Sequence, residues 1–149
     1  MRDDTASLVA EITGLFSRKI PLLEELLRRE QDLSRSISRG PEEIQNILDL
    51  CAAIIEKISD IDCDIVNASD RLCHIAGITS SGLEQKLRTD NPSAFNEWSK
   101  MRARITGLAR SINELREDNI RSMEKANLRS AKDADELSRM QRFLGRYGL

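Results

Sequence analysis

Residues 44–75 read IQNILDLCAAIIEKISDIDCDIVNASDRLCHI, and this stretch decides the fold class. Ten of its positions are apolar and follow one another in alternating steps of three and four: Ile44, Ile47, Cys51, Ile54, Ile58, Ile61, Ile65, Ala68, Leu72 and Ile75. An average step of 3.5 residues is the period of a helix that buries one narrow seam against partner helices. No strand keeps this phase for so long. The spacing therefore predicts a long helix in an all-α bundle.

The composition fits a thin bundle in a single domain over residues 1–149. The chain is 32% charged, 40% apolar and only 3% aromatic. It contains no run of about 18 uncharged apolar residues, so we expect no membrane span. The segment from Met1 to Asp4 lacks the apolar core of a secretory signal, and we therefore expect a cytoplasmic protein.

The three cysteines, Cys51, Cys63 and Cys73, are an odd number and have spacings that match no zinc or redox motif. We expect all three to be reduced and buried, since a free thiol behaves as a small apolar group.

The charge is unevenly distributed. Residues 1–99 carry 11 basic and 18 acidic groups, a net charge of −7, whereas residues 100–149 carry 12 basic and 7 acidic groups, a net charge of +5. The basic part could suggest nucleic acid, but its cations alternate with acids and no aromatic residue lies between Trp98 and Phe143 for base stacking. We therefore expect a basic last helix beside an acidic second one, and no nucleic-acid partner.

Apolar residues at similar spacing predict a first helix over residues 1–38: Leu8, Ile12, Leu15, Leu22, Leu26 and Leu33. Lys19 interrupts this seam beside Pro21, whose ring removes a backbone hydrogen bond. The seam keeps its phase across the proline, so a kink near residue 21 is favoured over a new helix after Lys19. Gly40–Pro41 starts a second helix over 41–76, because proline at a first helical position pre-sets φ. So short a connection makes the two helices antiparallel neighbours.

Residues 77–91 are predicted to form a loop that can hold a short helix around Leu83 and Leu87. Asn91–Pro92 is a strong helix start, and a third helix is predicted over 92–128. Its seam ends at Leu115, because the next register positions are Asn119, Ser122, Ala126 and Arg129. Residues 129–149 either extend beyond the bundle or fold back as a fourth helix. The predicted fold is an elongated antiparallel bundle of three long helices.

Catalytic patterns are missing from the sequence. His74 is the single histidine, so the two Glu-x-x-His motifs of a di-iron bundle cannot occur. Phosphate-binding, dinucleotide-binding and zinc-protease motifs are also absent. Asp60, Asp62 and Asp64 point in different directions around a helix, which indicates a solvated surface. We expect a protein without enzymatic activity, metal or cofactor.

The chain resembles the FlgN family of flagellar type III export chaperones. The resemblance rests on Leu22-Leu23 and Leu26-Leu27 followed by Glu30 and Leu33, and on the turn near Gly40 before a helix with Lys57 near its middle. It continues through the ending Arg71-Leu72-Cys73-His74-Ile75-Ala76-Gly77, the asparagines of Ile112-Asn113 and Asn119-Ile120, and the tail Arg146-Tyr147-Gly148.

The resemblance implies a function. Proteins of this family bind the C-terminal helical segments of the hook–filament junction proteins FlgK and FlgL, prevent their premature assembly and deliver them to the flagellar export apparatus. Such a chaperone is expected to be a monomer or a homodimer. The other interpretations are a structural or adaptor coiled coil that self-associates into larger particles and, less favoured, a nucleic-acid binder.

The weak end of the third helix is the candidate client site. Methionine and other apolar side chains there can adapt to varied partner helices. The predicted partner-binding residues are Asn119, Met123, Leu128, Leu137, Met140, Phe143, Leu144 and Tyr147. Two alternatives remain open: residues 120–147 pack back on the bundle as a fourth helix, and Asn119 fixes the helix register rather than contacting a client.

Overall fold

The computed structural model describes residues 2–126, which form helices joined by short connections. The long helices are α1 (Arg2–Ser36), α2 (Pro41–Ala76) and α4 (Pro92–Lys125), and α3 (Leu83–Asp90) is short. Single 3-10 turns, Ile37–Arg39 and Ser80–Gly82, follow α1 and precede α3. No strand occurs among the described residues, which confirms the all-α fold class. The predicted helix over 129–149 lies outside the described residues.

The contacts divide the chain into two compact units. Unit 1 comprises Met1–Pro21 and Ile58–Ile105, and unit 2 comprises Leu22–Lys57 and α4 from Thr106 onward. The three long helices each contribute to both units, so no linker separates the two. α1 continues through Pro21, and the alternative of a first helix that ends near Lys19 is wrong.

The bounds of α2 follow from the residues at its ends. Pro41 starts the helix, Glu42 and Glu43 lie in its first turn, and Gly77 follows its last residue with a φ of 67° that favours glycine. Eight of the ten seam positions between Ile44 and Ile75 are buried and the remaining two are half-buried. The seam is therefore the core strip of α2, as its period predicted.

In unit 1, α1 and α2 run antiparallel, as the short connection predicted. Arg71 pairs with Glu11 at 3.1 Å, and the Nζ of Lys19 lies 2.6 Å from a carboxylate oxygen of Asp62. Lys19 is buried on the α1 seam, and burial lowers the pKa of its ammonium while Asp62 opposes that shift. Asp62 was predicted to belong to a solvated surface. It instead lies on the flank of α2 that faces α1, where it compensates the lysine charge.

α4 enters unit 1 at a capped helix start. The side chain of Asn91 accepts a hydrogen bond of 3.1 Å from the backbone N–H of Ala94, and Pro92 is the first helical residue. One turn further, the buried Trp98 donates a hydrogen bond of 2.7 Å to the hydroxyl of Thr13. Its ring meets Phe16 edge to face at 5.7 Å. These contacts fix α4 against α1 in unit 1.

The cysteines are all free, as predicted, but not all buried. Cys51 and Cys73 are buried, whereas Cys63 is exposed. The prediction was wrong for Cys63 because this residue lies between the seam positions Ile61 and Ile65, on the outer face of α2.

Candidate functional site

Two of the eight predicted partner-binding residues lie among the described residues. Asn119 and Met123 are both on α4, and both are buried, with 2% and 1% of their surface exposed. Leu128, Leu137, Met140, Phe143, Leu144 and Tyr147 lie outside the described residues. The environment of Asn119 and Met123 is therefore where the structure defines a candidate site.

The buried face of α4 in unit 2 changes its chemistry along the helix. Leu108, Ala109 and Ile112 are buried and apolar, and the next buried positions are Arg116, Asn119 and Met123. Leu115, where the sequence placed the last seam residue, is only half-buried. The step after Ile112 is four residues rather than three, so the seam continues in phase but with an arginine and an asparagine on it.

Arg116 and Asn119 meet α1 in a cluster here named the polar layer, in which Glu30, Arg116 and Asn119 are buried and Ser34 lies at the exposed edge. Nη2 of Arg116 forms an ion pair with Oε2 of Glu30, and 1% and 0% of the two side chains are exposed. The amide nitrogen of Asn119 donates hydrogen bonds to Oε1 of Glu30 at 2.8 Å and to the Glu30 carbonyl at 3.0 Å. The hydroxyl of Ser34 donates to the Asn119 side-chain oxygen at 2.6 Å.

These contacts set the direction of pairing. Glu30 of α1 contacts Arg116 of α4. Ser34, about one turn later on α1, contacts Asn119, about one turn later on α4. The two helices therefore run parallel in unit 2. Asn119 satisfies both of its polar atoms within the layer, which supports the register role over direct contact with a client. Its burial also means that a client could reach Asn119 only after α4 has moved.

The electrostatics of the polar layer are unfavourable in one respect. Burial raises the pKa of Glu30, and the Arg116 charge and the Asn119 hydrogen bond only partly offset this. Among the described residues, Nε and Nη1 of Arg116 have no oxygen or nitrogen acceptor, and apart from Glu30 the acceptor beside the guanidinium is a thiol. Cys51 of α2 lies beside the guanidinium, and burial raises the pKa of its thiol to about 11, so it is a neutral and weak acceptor.

The other helices of unit 2 present a different surface. Apart from Glu30 and Ser36, the buried side chains of α1 and its 3-10 turn in this unit are aliphatic, and so are those of α2 apart from Cys51: Leu23, Leu26, Leu33, Ile37, Ile44, Ile47, Leu48 and Ile54. The α1–α2 pair is thus suited to an aliphatic partner helix, whereas the end of α4 offers a salt bridge, an amide and one methionine. This mismatch is the distinctive chemical feature of unit 2.

The described residues show no cluster of metal-ligating side chains. No group of three or more His, Cys, Asp or Glu side chains in residues 2–126 could hold a metal ion, and His74 is exposed. Unit 1 has an open groove of about 690 Å³ between the start of α1, the end of α2 and α3. Its lining is largely apolar, with Leu72, Ile75 and Leu87 among its residues, and the rim charges Lys86 and Asp90 neutralise each other.

Across the described helices, none combines the length and apolar character needed to cross a membrane. Comparison of the chain with protein-family models, curated proteins and solved structures finds no match. The described residues form an all-α helical bundle, and the buried face of its last helix becomes polar near the end of that helix.

Glu30 and Arg116 were missed as site residues in the sequence. Each is charged, and each lies where an apolar residue is missing from a buried face: Glu30 lies between Leu26 and Leu33 on α1, and Arg116 lies four residues after Ile112 on α4. Two such interruptions on different helices are a signal for a buried ion pair, because a buried charge is tolerated only when it is compensated.

Proposed function

We propose that the chain is a flagellar export chaperone of the FlgN type. It binds the C-terminal helical segments of hook–filament junction proteins of the FlgK and FlgL type in the cytoplasm, prevents their premature assembly and delivers them to the type III export apparatus. The resemblance of motifs along α1, α2 and α4 is one support, and the all-α bundle is the fold that such a protein requires.

The single observation that carries the proposal is the change in the buried face of α4 after Ile112. Up to that residue α4 contributes aliphatic side chains, and beyond it Arg116 and Asn119 face an otherwise aliphatic α1–α2 pair. Amphipathic helices are recognised by laying their apolar face into a hydrophobic groove. A chaperone also has to release its client, so its own helices should compete with the client for that groove.

The competing proposal, an adaptor that self-associates through open seams, is less well supported. The seams of α1, α2 and α4 are buried within the chain, and among the described residues only Leu50 and Val66 are exposed large apolar side chains. These two belong to different units, and two isolated apolar residues are normal for a surface that binds nothing.

The proposal is tested by co-expression with a hook–filament junction protein of the same genome. We expect the two proteins to co-purify, and we expect removal of the partner's C-terminal helical segment to abolish the complex. A chain carrying Val66→Ser, a surface change on α2, is the matched control and should retain the complex. Failure of the intact partner to co-purify, while the control chain remains folded, would contradict the proposal.

The predicted client residues beyond α4 are tested separately. Truncation after Ala126 removes the six candidates from Leu128 to Tyr147 and leaves the polar layer intact. Loss of the partner from the truncated chain would support their role, whereas retention at full affinity would restrict the client site to the described helices.

A further inference from the structure

We infer that unit 2 binds its partner helix by exchange: the end of α4, from Arg116 to Lys125, leaves the α1–α2 pair, and an amphipathic helix with an aliphatic seam and one basic residue opposite Glu30 takes its place. The inference rests on the proposed function in taking the partner to be a client helix. It adds which element moves, which surface is used and what chemistry the incoming helix carries.

The end of α4 gains little from its place against α1 and α2. Its buried side chains beyond Ile112 are Arg116, Asn119 and Met123, so only one of the three is apolar. Arg116 is buried, and beyond its ion pair with Glu30 the described residues place only the weak Cys51 thiol acceptor beside its guanidinium. An unmade hydrogen bond at a buried donor costs desolvation without return, and a buried ion pair gains little over apolar residues of similar volume. The end of α4 is therefore a weakly held segment in a well-formed groove.

The α1–α2 pair offers an aliphatic surface to another helix. Leu26 and Leu33 of α1 and Ile44 and Leu48 of α2 have 0–1% of their surface exposed, so these residues form a dry aliphatic surface. A helix with leucine or isoleucine at the positions of Asn119 and Met123 would bury more apolar area against them than α4 does. Exchange is thus favourable for an incoming amphipathic helix even though it has to displace an intramolecular one.

Glu30 sets the charge that suits the incoming helix. When Arg116 leaves, the carboxylate of Glu30 remains in the groove without its ion pair, and burial already raises its pKa. A buried carboxyl without a cation has either to stay ionised, which is strongly unfavourable, or to take up a proton, so a partner that supplies a cation at that level binds more tightly than one that does not. The complementary helix therefore carries an aliphatic seam interrupted once, by arginine or lysine opposite Glu30.

Hydrogen exchange on the intact chain tests the exchange directly. The probes are the C-terminal helical segment of a hook–filament junction protein and a designed amphipathic peptide with a leucine seam and a single arginine. In the complex we expect amides of residues 116–125 to exchange faster than in the free chain, and amides of α1 and α2 in unit 2 to exchange more slowly. Unchanged or increased protection of 116–125 in a formed complex would overturn the inference.

The same measurement separates this inference from the proposed function. If the junction-protein segment binds while residues 116–125 stay protected, the exchange is wrong and the chaperone proposal stands. If only the designed peptide binds and releases α4, the chaperone proposal fails and the exchange stands. A dimer that forms by swapping α4 between two copies, with no response to either peptide, would also contradict the exchange with a partner.

A variant of the chain and one of the peptide supply independent tests. Replacing the polar layer by Glu30→Leu, Arg116→Leu and Asn119→Leu should hold α4 in place, and we expect peptide affinity to fall at least about tenfold while thermal stability rises. The matched control Lys19→Met with Asp62→Leu replaces the ion pair of unit 1 and should leave affinity unchanged. With the wild-type chain, changing the arginine of the designed peptide to glutamate should weaken binding by at least about tenfold. Equal affinity for both peptides would overturn the charge requirement.

Discussion

Separating the two charges of the polar layer gives a large and specific prediction for stability. Glu30→Gln keeps an acceptor for Asn119 but leaves the Arg116 charge buried and unpaired, and Arg116→Met leaves the Glu30 carboxylate in the same condition. Because 1% or less of either side chain is exposed, water cannot solvate the remaining charge. Each single substitution should therefore lower the free energy of unfolding by about 3–5 kcal/mol. This is a large part of the roughly 5–15 kcal/mol that holds a domain folded.

The double substitution provides the control. With both charges removed, neither variant side chain is ionised, and the free energy of unfolding should return to within about 1 kcal/mol of the wild type or exceed it. The measurement is urea unfolding of the four proteins at neutral pH, followed by far-UV circular dichroism. Single substitutions that each cost less than about 1 kcal/mol and simply add in the double variant would refute the reasoning, since the two charges would then be independent and solvated.

Three further predictions concern groups in both units. Thiol labelling of the folded chain should modify Cys63 rapidly and Cys51 only after unfolding, because burial raises the pKa of Cys51 to about 11; equal rates would contradict its burial. Thr13→Val should lower the free energy of unfolding by about 1 kcal/mol and change the fluorescence of Trp98, whose indole N–H loses its acceptor, and an unaltered spectrum would argue against that bond. Finally, Arg116→Met removes the charge that opposes the effect of burial on the pKa of Glu30, so in this variant the pKa lies further above 4.5 than in the wild type. The free energy of unfolding of Arg116→Met should therefore fall further below that of the wild type as pH rises through the window above 4.5, and a difference that narrows there would contradict the pairing.

The sequence was sufficient where the determining signals are local. The period of the 44–75 seam and the residues Pro41 and Gly77 define α2. One helix face and the two ends of a helix can be recognised without knowing the rest of the fold. Asn91 and Pro92 define the start of α4 in the same way. The division of contacts into two units could not be predicted, because it depends on which residues meet across different helices.

The polar layer could not be read from α4 alone. After Ile112 a step of three leads to Leu115 and a step of four leads to Arg116, and an apolar residue is the natural choice for a buried position. In the structure the buried residue is Arg116, because its charge is compensated in an ion pair by Glu30, which lies 86 residues earlier in the sequence. Asn119 was recognised from its register position, whereas its partners Glu30 and Ser34 become visible only in three dimensions.

The most direct test of the proposed chaperone function is calorimetric titration of the intact chain with the C-terminal helical segment of the hook–filament junction protein encoded in the same genome. The matched control is the same segment with its apolar stripe replaced by serine. We expect a one-to-one complex with a Kd on the order of micromolar, because the client must later be released. We expect no binding of the control segment. Absence of heat and of a complex with the native segment, from a chain shown to be folded by circular dichroism, would contradict the proposed function.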